Sequence, residues 1–470
     1  MTESSSDPHH AAGSFRELLA VSLPLIISAG SLSVMSAVDR IMLAGYSVDA
    51  LAAVTPASML HWTVICVPMG MILYANTFIA QFDGAGRPGR VAASVWQAVW
   101  LAIISGLLLT LLTPFTHDVL SLTGHAASVV REESSYFNVL CLGSLGLLTS
   151  EALGTFYSGR RRTNVVMAVN VLGVVINFAL DYVFIYGVGP FPQLGIRGAA
   201  LATVLARVSG IVAYLILIRR ENQRAKFPFP ETWKPDSGLL RKFLRFGLPS
   251  GLHYFVDNSG FTAFLLIVGT LNADALAATN LAFSVNGLIF VPLLGFGTAV
   301  QTLVGHHIGA GLQPAAIRTT WNAVRMALVW TGGAGVLLIL CPEMSLKPFQ
   351  LFARDSSPET ESLKQILPTA VLLLQFVAVY SVFDALAVVF SSALRGAGDT
   401  LFPMLLTMFS SWLVMTIPAL LVVQSESASI TKLWLCCTAH ITTMGSAMLL
   451  RFLSGRWKHI QLIDTAQELP

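Results

Sequence analysis

Of the chain's 470 residues, 54% are hydrophobic and only 11% charged, and the mean hydropathy is +0.70. A soluble domain carries roughly a quarter Asp, Glu, Lys and Arg, so a chain solvated by water alone is excluded and much of the surface must face lipid. The net charge of +3 gives no reason to expect a nucleic-acid partner or a strongly acidic substrate.

Residues 1–17 lack a basic stretch leading into an apolar core, and read as a short cytoplasmic tail rather than a removable signal. A membrane-spanning helix needs about 20 mainly apolar residues. Twelve such segments follow, at 18–40, 50–80, 92–114, 134–158, 164–189, 196–219, 242–270, 275–305, 318–341, 363–393, 400–423 and 429–454. The runs are continuous rather than alternating, which argues against barrel strands and predicts an all-α polytopic membrane protein. Pro68 and Pro292 predict bends in the long second and eighth segments. The cysteines, Cys66, Cys141, Cys341, Cys436 and Cys437, form no CxxC pair and read as small buried hydrophobes.

Basic residues gather in the loops that would share one side with both termini, among them Arg87, Arg90, Arg160, Arg161, Arg162, Arg219, Arg220, Arg241, Lys242 and Arg451. Basic loops stay inside, so both termini are expected in the cytoplasm. Pro228, Pro230 and Pro235 mark 220–241 as a cytoplasmic linker between six-helix lobes at 18–219 and 242–454, with 455–470 as a cytoplasmic C-terminal tail. The lobes repeat each other. At one constant offset, Asp49-Ala-Leu-Ala-Ala53 falls on Asp274-Ala-Leu-Ala-Ala278, Gly84-Ala-Gly86 on Gly309-Ala-Gly311, and Trp96-x-Ala-Val99 on Trp321-x-Ala-Val324. Six spans per repeat return the chain to the same side, which predicts two bundles related by pseudo-twofold symmetry and makes alternating access the default for the interface.

Ionisable side chains inside spans are costly and mark functional sites by default. They are Asp39, Glu151, Asp181, Asp257 and Asp384. Counted from Arg245 and Arg395, Asp257 and Asp384 both come out about 17 Å deep, near the midplane, while Asp39 and Asp181 come out at about 30 Å, in the outer part of the first lobe. Each pair is therefore able to meet. Two carboxylates facing each other in low dielectric do not both stay ionised cheaply; one takes a proton or the pair recruits a cation. Asn177 lies one turn before Asp181 and Tyr380 one turn before Asp384, where each adds an oxygen or a hydrogen bond. Glu151 is compatible with a functional role or with a salt bridge to Arg160–Arg162. The Gly-Ala-Gly turns read as helix stops, His306-His307 as an interfacial pair rather than a metal site, and the chain shows no HExxH or GxSxG constellation, so no enzyme is expected.

These residues resemble the multidrug and toxic compound extrusion family, particularly its bacterial NorM-like branch. The resemblance runs from about Leu18 to about Ser454. It is carried by Met35-Ser-Ala-Val-Asp39-Arg-Ile-Met42, Ala80-Gln-Phe-Asp-Gly-Ala-Gly86-Arg87, Asn177-Phe-Ala-Leu-Asp181, Phe246-Gly-Leu-Pro249 leading to Asp257, and Asp384-Ala-Leu followed by Leu394-Arg-Gly-Ala-Gly398. The family's span-one, span-five, span-seven and span-ten polar positions fall on Asp39, Asp181, Asp257 and Asp384. Asp257 stands where Glu is common, and Thr279-Asn280 where His-Gln is often found. The resemblance implies a secondary antiporter in a bacterial inner membrane that exports organic, often cationic compounds in exchange for Na⁺ or H⁺, with no cofactor and no obligatory protein partner. Asp257, Asp384 and Tyr380 would then hold the coupling ion or proton of the second lobe, with Na⁺ a candidate at the two acids. Asp39, Asp181 and Asn177 would hold that of the first. A lipid-linked-sugar flippase and a passive channel stand as alternatives; the flippase predicts clustered basic residues in the spans, where Arg207 is the main exception to a set of acids.

Overall fold

The computed structural model describes residues 12–225, 227–351 and 358–463; the ends of both expected tails lie outside this set. Among the described residues the regular structure is entirely helical. In chain order the α-helices are α1 (Phe15–Ala44), α2 (Val48–Leu73), α3 (Ala75–Gly84), α4 (Pro88–Thr110), α5 (Thr116–Ser121), α6 (Ala127–Gly159), α7 (Thr163–Tyr186) and α8 (Ile196–Ala225). They continue as α9 (Ser237–Lys242), α10 (Leu248–Gly269), α11 (Ala273–Gly309), α12 (Gln313–Leu340), α13 (Pro342–Leu351), α14 (Pro358–Gly396), α15 (Leu401–Phe409), α16 (Ile417–Gln424) and α17 (Ile430–Leu453). Short π-helical turns join α9 to α10 at Phe243–Gly247 and α15 to α16 at Ser410–Thr416.

Eleven of the expected spans are helices long and apolar enough to cross a membrane. The remaining one is α10, whose His253, Asp257 and Asn258 dilute its apolar character. Two boundaries differ from expectation. The α8 helix runs to Ala225, into the expected linker, because Arg-Arg-Glu-Asn-Gln-Arg-Ala is made largely of helix formers. The second span breaks at Tyr74, six residues past Pro68, whereas α11 stays continuous through Pro292. Cys341 is exposed at the end of α12, unlike the buried Cys66, Cys141 and Cys437, which corrects the reading of all five as buried; the helix ends there and leaves it uncovered.

The repeat seen in the sequence returns as repeated geometry. Ser47 caps α2 by accepting the Ala50 N–H at 3.5 Å, and the corresponding Asn272 caps α11 by accepting that of Ala275 at 2.7 Å. Gly86 and Gly311 both adopt left-handed φ, +68° and +75°. The next amides close the same turn, Arg87 onto the Phe82 carbonyl and Leu312 onto that of His307. Gln97 of α4 holds the linker, donating to the Lys234 carbonyl, while the matching Asn322 of α12 donates to that of Gly13 in the N-terminal segment.

The chain divides into two compact units, and each mixes sequence from both repeats. One contains Val21–Phe255, Gly305–Leu312 and the residues after Gln461. Its core is aromatic-rich: Phe243 stacks on Phe78 at 4.5 Å, and Tyr157 stacks on Tyr214. Here Gly84 and Gly309, equivalent in the repeats, close on each other's helices. A Cβ on Gly84 would lie 2.1 Å from the His306 carbonyl oxygen, and one on Gly309 would lie 2.0 Å from that of Gln81. The other unit contains the residues up to Ala20, Val256–Val304 and Gln313–Gln461, with a core around Phe264, Tyr380 and Trp434. Large apolar side chains such as Leu108, Leu111, Val329 and Leu421 stand exposed along the outer helices, as a lipid-facing surface requires.

Candidate functional site

Three helices bring the first group of predicted residues together. Asp39 comes from α1, Asn177 and Asp181 from successive turns of α7, and Thr203 from α8. Asn177 and Asp181 share a helix face because they are four residues apart. Both are fully buried, and Asp39 is 6% exposed. The Asp39 and Asp181 carboxyl groups lie within electrostatic reach of each other. Oδ1 of Asp39 and both oxygens of Asp181 find no donor from the protein. Thr203 donates its hydroxyl to Asp39 Oδ2 at 3.5 Å and accepts from Asn177 Nδ2 at 3.4 Å, leaving Asn177 Oδ1 without a partner. The buried Tyr136 of α6, hydrogen-bonded to Ser58, lies within electrostatic reach of both acids, and Arg40 within reach of Asp39. The result is a set of buried oxygens with more lone pairs than donors, suited to a proton or a small hard cation.

The second group is looser. Asp257 of α10 and Asp384 of α14 are both partly buried and lie within electrostatic reach of each other, with Arg395 also acting on Asp257. Tyr380 is fully buried and stacks on Trp434 at 6.3 Å, with Asp384 one turn beyond it. Trp434 donates its indole N–H to Thr279 at 3.2 Å, so the hydroxyl at this position holds a ring in place. Glu151 pairs with Arg207 of α8 at 3.2 Å rather than with the Arg160–Arg162 cluster. His306 reaches Asp83 at 3.6 Å, and no group of three or more His, Cys, Asp or Glu able to hold a metal occurs among the described residues.

Three polar features were not anticipated from the sequence. Thr203 joins the acids from α8, one turn before Arg207, which the sequence had singled out without its Glu151 partner; the i and i+4 spacing would have exposed Thr203. The Ser410–His440 hydrogen bond at 2.8 Å forms at the π-helical turn before α16, where no residue pattern announces the turn. Arg160 binds Glu221 at 2.7 Å and Asp83 at 3.6 Å while lying over the Phe156 and Phe227 rings, joining residues far apart in sequence.

A helical bundle of this length with acids buried in its spans defines a multi-pass membrane transporter rather than an enzyme. The MatE family model matches residues 24–183 and 249–421, one match in each repeat. The probable multidrug resistance protein NorM of Thermotoga maritima is 30% identical over 450 residues, covering 94% of this chain and 93% of that protein. The chain belongs to the MATE family of multidrug efflux transporters. Solved structures share its twelve-helix, two-bundle fold at 20–21% identity: a MATE transporter in the bent conformation matches with a TM-score of 0.84 over 94% of this chain and 96% of that one. A multidrug resistance MATE transporter in an outward-facing conformation and a MOP superfamily transporter from Pyrococcus furiosus each match with a TM-score of 0.83 over 95% of this chain and 97% of theirs.

Proposed function

We propose that the protein is a secondary antiporter of a bacterial inner membrane, with both termini in the cytoplasm, which exports organic cationic amphipaths in exchange for inward movement of H⁺ or Na⁺. The observation that carries this reading is the Asp39–Asp181 pair, two buried acids on α1 and α7 three of whose four carboxyl oxygens find no donor from the protein. Such a pair has a seat to fill. A proton or cation occupying it removes negative charge from the first half, and an organic cation restores the need for that charge. The exchange is then driven by differential affinity of the two facing states for the two ligands. Asp257, Asp384 and Tyr380 form the corresponding site of the second half, where the coupling ion is held between two acids less tightly enclosed.

The flippase alternative is weaker, because Arg207 is already paired with Glu151 and offers no cluster for a pyrophosphate. In proteoliposomes, Na⁺ and pH gradients imposed separately while a fluorescent cationic dye is followed test the proposal. Dye export driven by at least one gradient is expected. Dye movement that ignores both gradients would establish a passive channel instead.

A further inference from the structure

The structure assigns a route as well as a seat: we infer that Glu151 and Arg207 form the inner relay through which the first-half acids exchange a proton with the side of the membrane carrying the basic loops. This rests on the coupling reading above and adds the path and, for this half, the ion.

The three helices that build the acid cluster also build what lies next to it. One and two turns from Asp39 on α1 are Met35 and Leu32; from Asn177 on α7, Gly173 and Asn170; from Thr203 on α8, Arg207 and Gly210. These residues, with Ser150 of α6, line one small cavity of about 10 Å³, enough for roughly a single water. A larger apolar cavity of about 220 Å³ between α1 and α7 shares Met35 with it and takes Asn177 into its wall. The direction is set by sequence: past Arg207, α8 runs on to Arg219 and Arg220, and α7 begins just after Arg160–Arg162.

The polar groups suit a relay. Arg207 Nη1 donates to Glu151 Oε1 at 3.2 Å, while its Nε is buried with no protein acceptor. Asn170 donates to Ser28 beside them, and Tyr214 of α8 lies within electrostatic reach of both. A partly buried ion pair adds little or nothing to stability on balance, so packing alone gives no reason for two charges here. In the proposed step an O–H bond breaks at the acid pair, the proton crosses through water, and an O–H bond forms on the Glu151 carboxylate. Arg207, deprived of its anionic partner, favours loss of that proton to the inner aqueous side, which restores the ion pair. A guanidinium that keeps its charge also repels Na⁺, so this route carries protons. Glu151 transfers the proton; Arg207 is a positioning residue.

The test uses the full chain in proteoliposomes under a pH gradient, with dye export as readout. Glu151→Gln is expected to slow export about tenfold while leaving dye binding to the detergent-purified protein unchanged. In detergent, where no gradient exists to be collapsed, Glu151→Gln should also slow proton release on dye binding, and small weak acids such as azide, which ferry protons, should recover most of that rate; no structural defect would be repaired in this way. Gly173→Ala supplies a second variant, because its added methyl meets only the Ala206 carbonyl at 3.8 Å. It keeps the helix and takes the room of the water, and a severalfold slowing is expected. Unchanged export in both variants, or a slowed proton release that azide does not recover, overturns the relay. Full export by Asp39→Asn would instead sink the coupling reading itself, whatever Glu151→Gln does.

Discussion

On the proposed mechanism Asp39 and Asp181 act as a unit, and removal of either carboxylate abolishes the seat. Asp39→Asn and Asp181→Asn are each expected to reduce gradient-driven export at least tenfold with protein levels unchanged, measured as dye efflux per unit of reconstituted protein. Thr203→Val removes one hydrogen bond and no charge. A loss of only a fewfold is expected from it, in line with about 1 kcal/mol for a neutral bond. Arg160 serves the scaffold instead. With its partners Glu221 and Asp83 and the two aromatic faces, it ties the ends of α3, α6 and α8. A lysine reproduces the charge but not the planar stacking. Arg160→Lys should therefore lower thermal stability in detergent, by about 1–2 kcal/mol, without altering the dependence of export on the gradient.

At the scale of elements, the ends of α3 and α11 approach so closely that only glycine fits at Gly84 and Gly309. A methyl 2.0–2.1 Å from a carbonyl oxygen forces backbone to move, because neither neighbouring atom belongs to a flexible side chain. Gly84→Ala and Gly309→Ala are each expected to lower the midpoint of thermal unfolding by several degrees, corresponding to about 1–3 kcal/mol; Gly332→Ala, with open space around it, serves as the control and should leave the midpoint unchanged. Helix existence and order were legible in the sequence, because continuous apolar runs of this length have one solution in lipid. So was the repeat, whereas the caps at Ser47 and Asn272 emerged only from the structure. The break at Tyr74 and the π-helical turns were not legible either, since they arise from packing between helices that no local pattern records. Likewise, Asp39 and Asp181 were legible as a pair by depth, whereas the Glu151 partner was not: the nearest basic cluster in sequence is not the nearest in space.

For the whole molecule, the bilayer explains both the exposed leucines and the rarity of charge. Among the charges within the spans are the acid cluster of the first half, the Glu151–Arg207 pair beside it, and the looser Asp257–Asp384 pair of the second. The two halves keep their repeated turns and caps but differ in these polar groups, so duplication supplied the scaffold and divergence supplied the chemistry. On the proposed mechanism one buried carboxyl pair is occupied alternately by the coupling ion and answered by the exported cation. The most direct measurement of this exchange is ion release on ligand binding: the purified protein is mixed with the cationic dye in weakly buffered solution while pH and free Na⁺ are followed. About one proton or sodium ion released per dye bound is expected, with the release lost in Asp39→Asn. Saturable dye binding with no ion released, or with the same release from Asp39→Asn, would contradict the account.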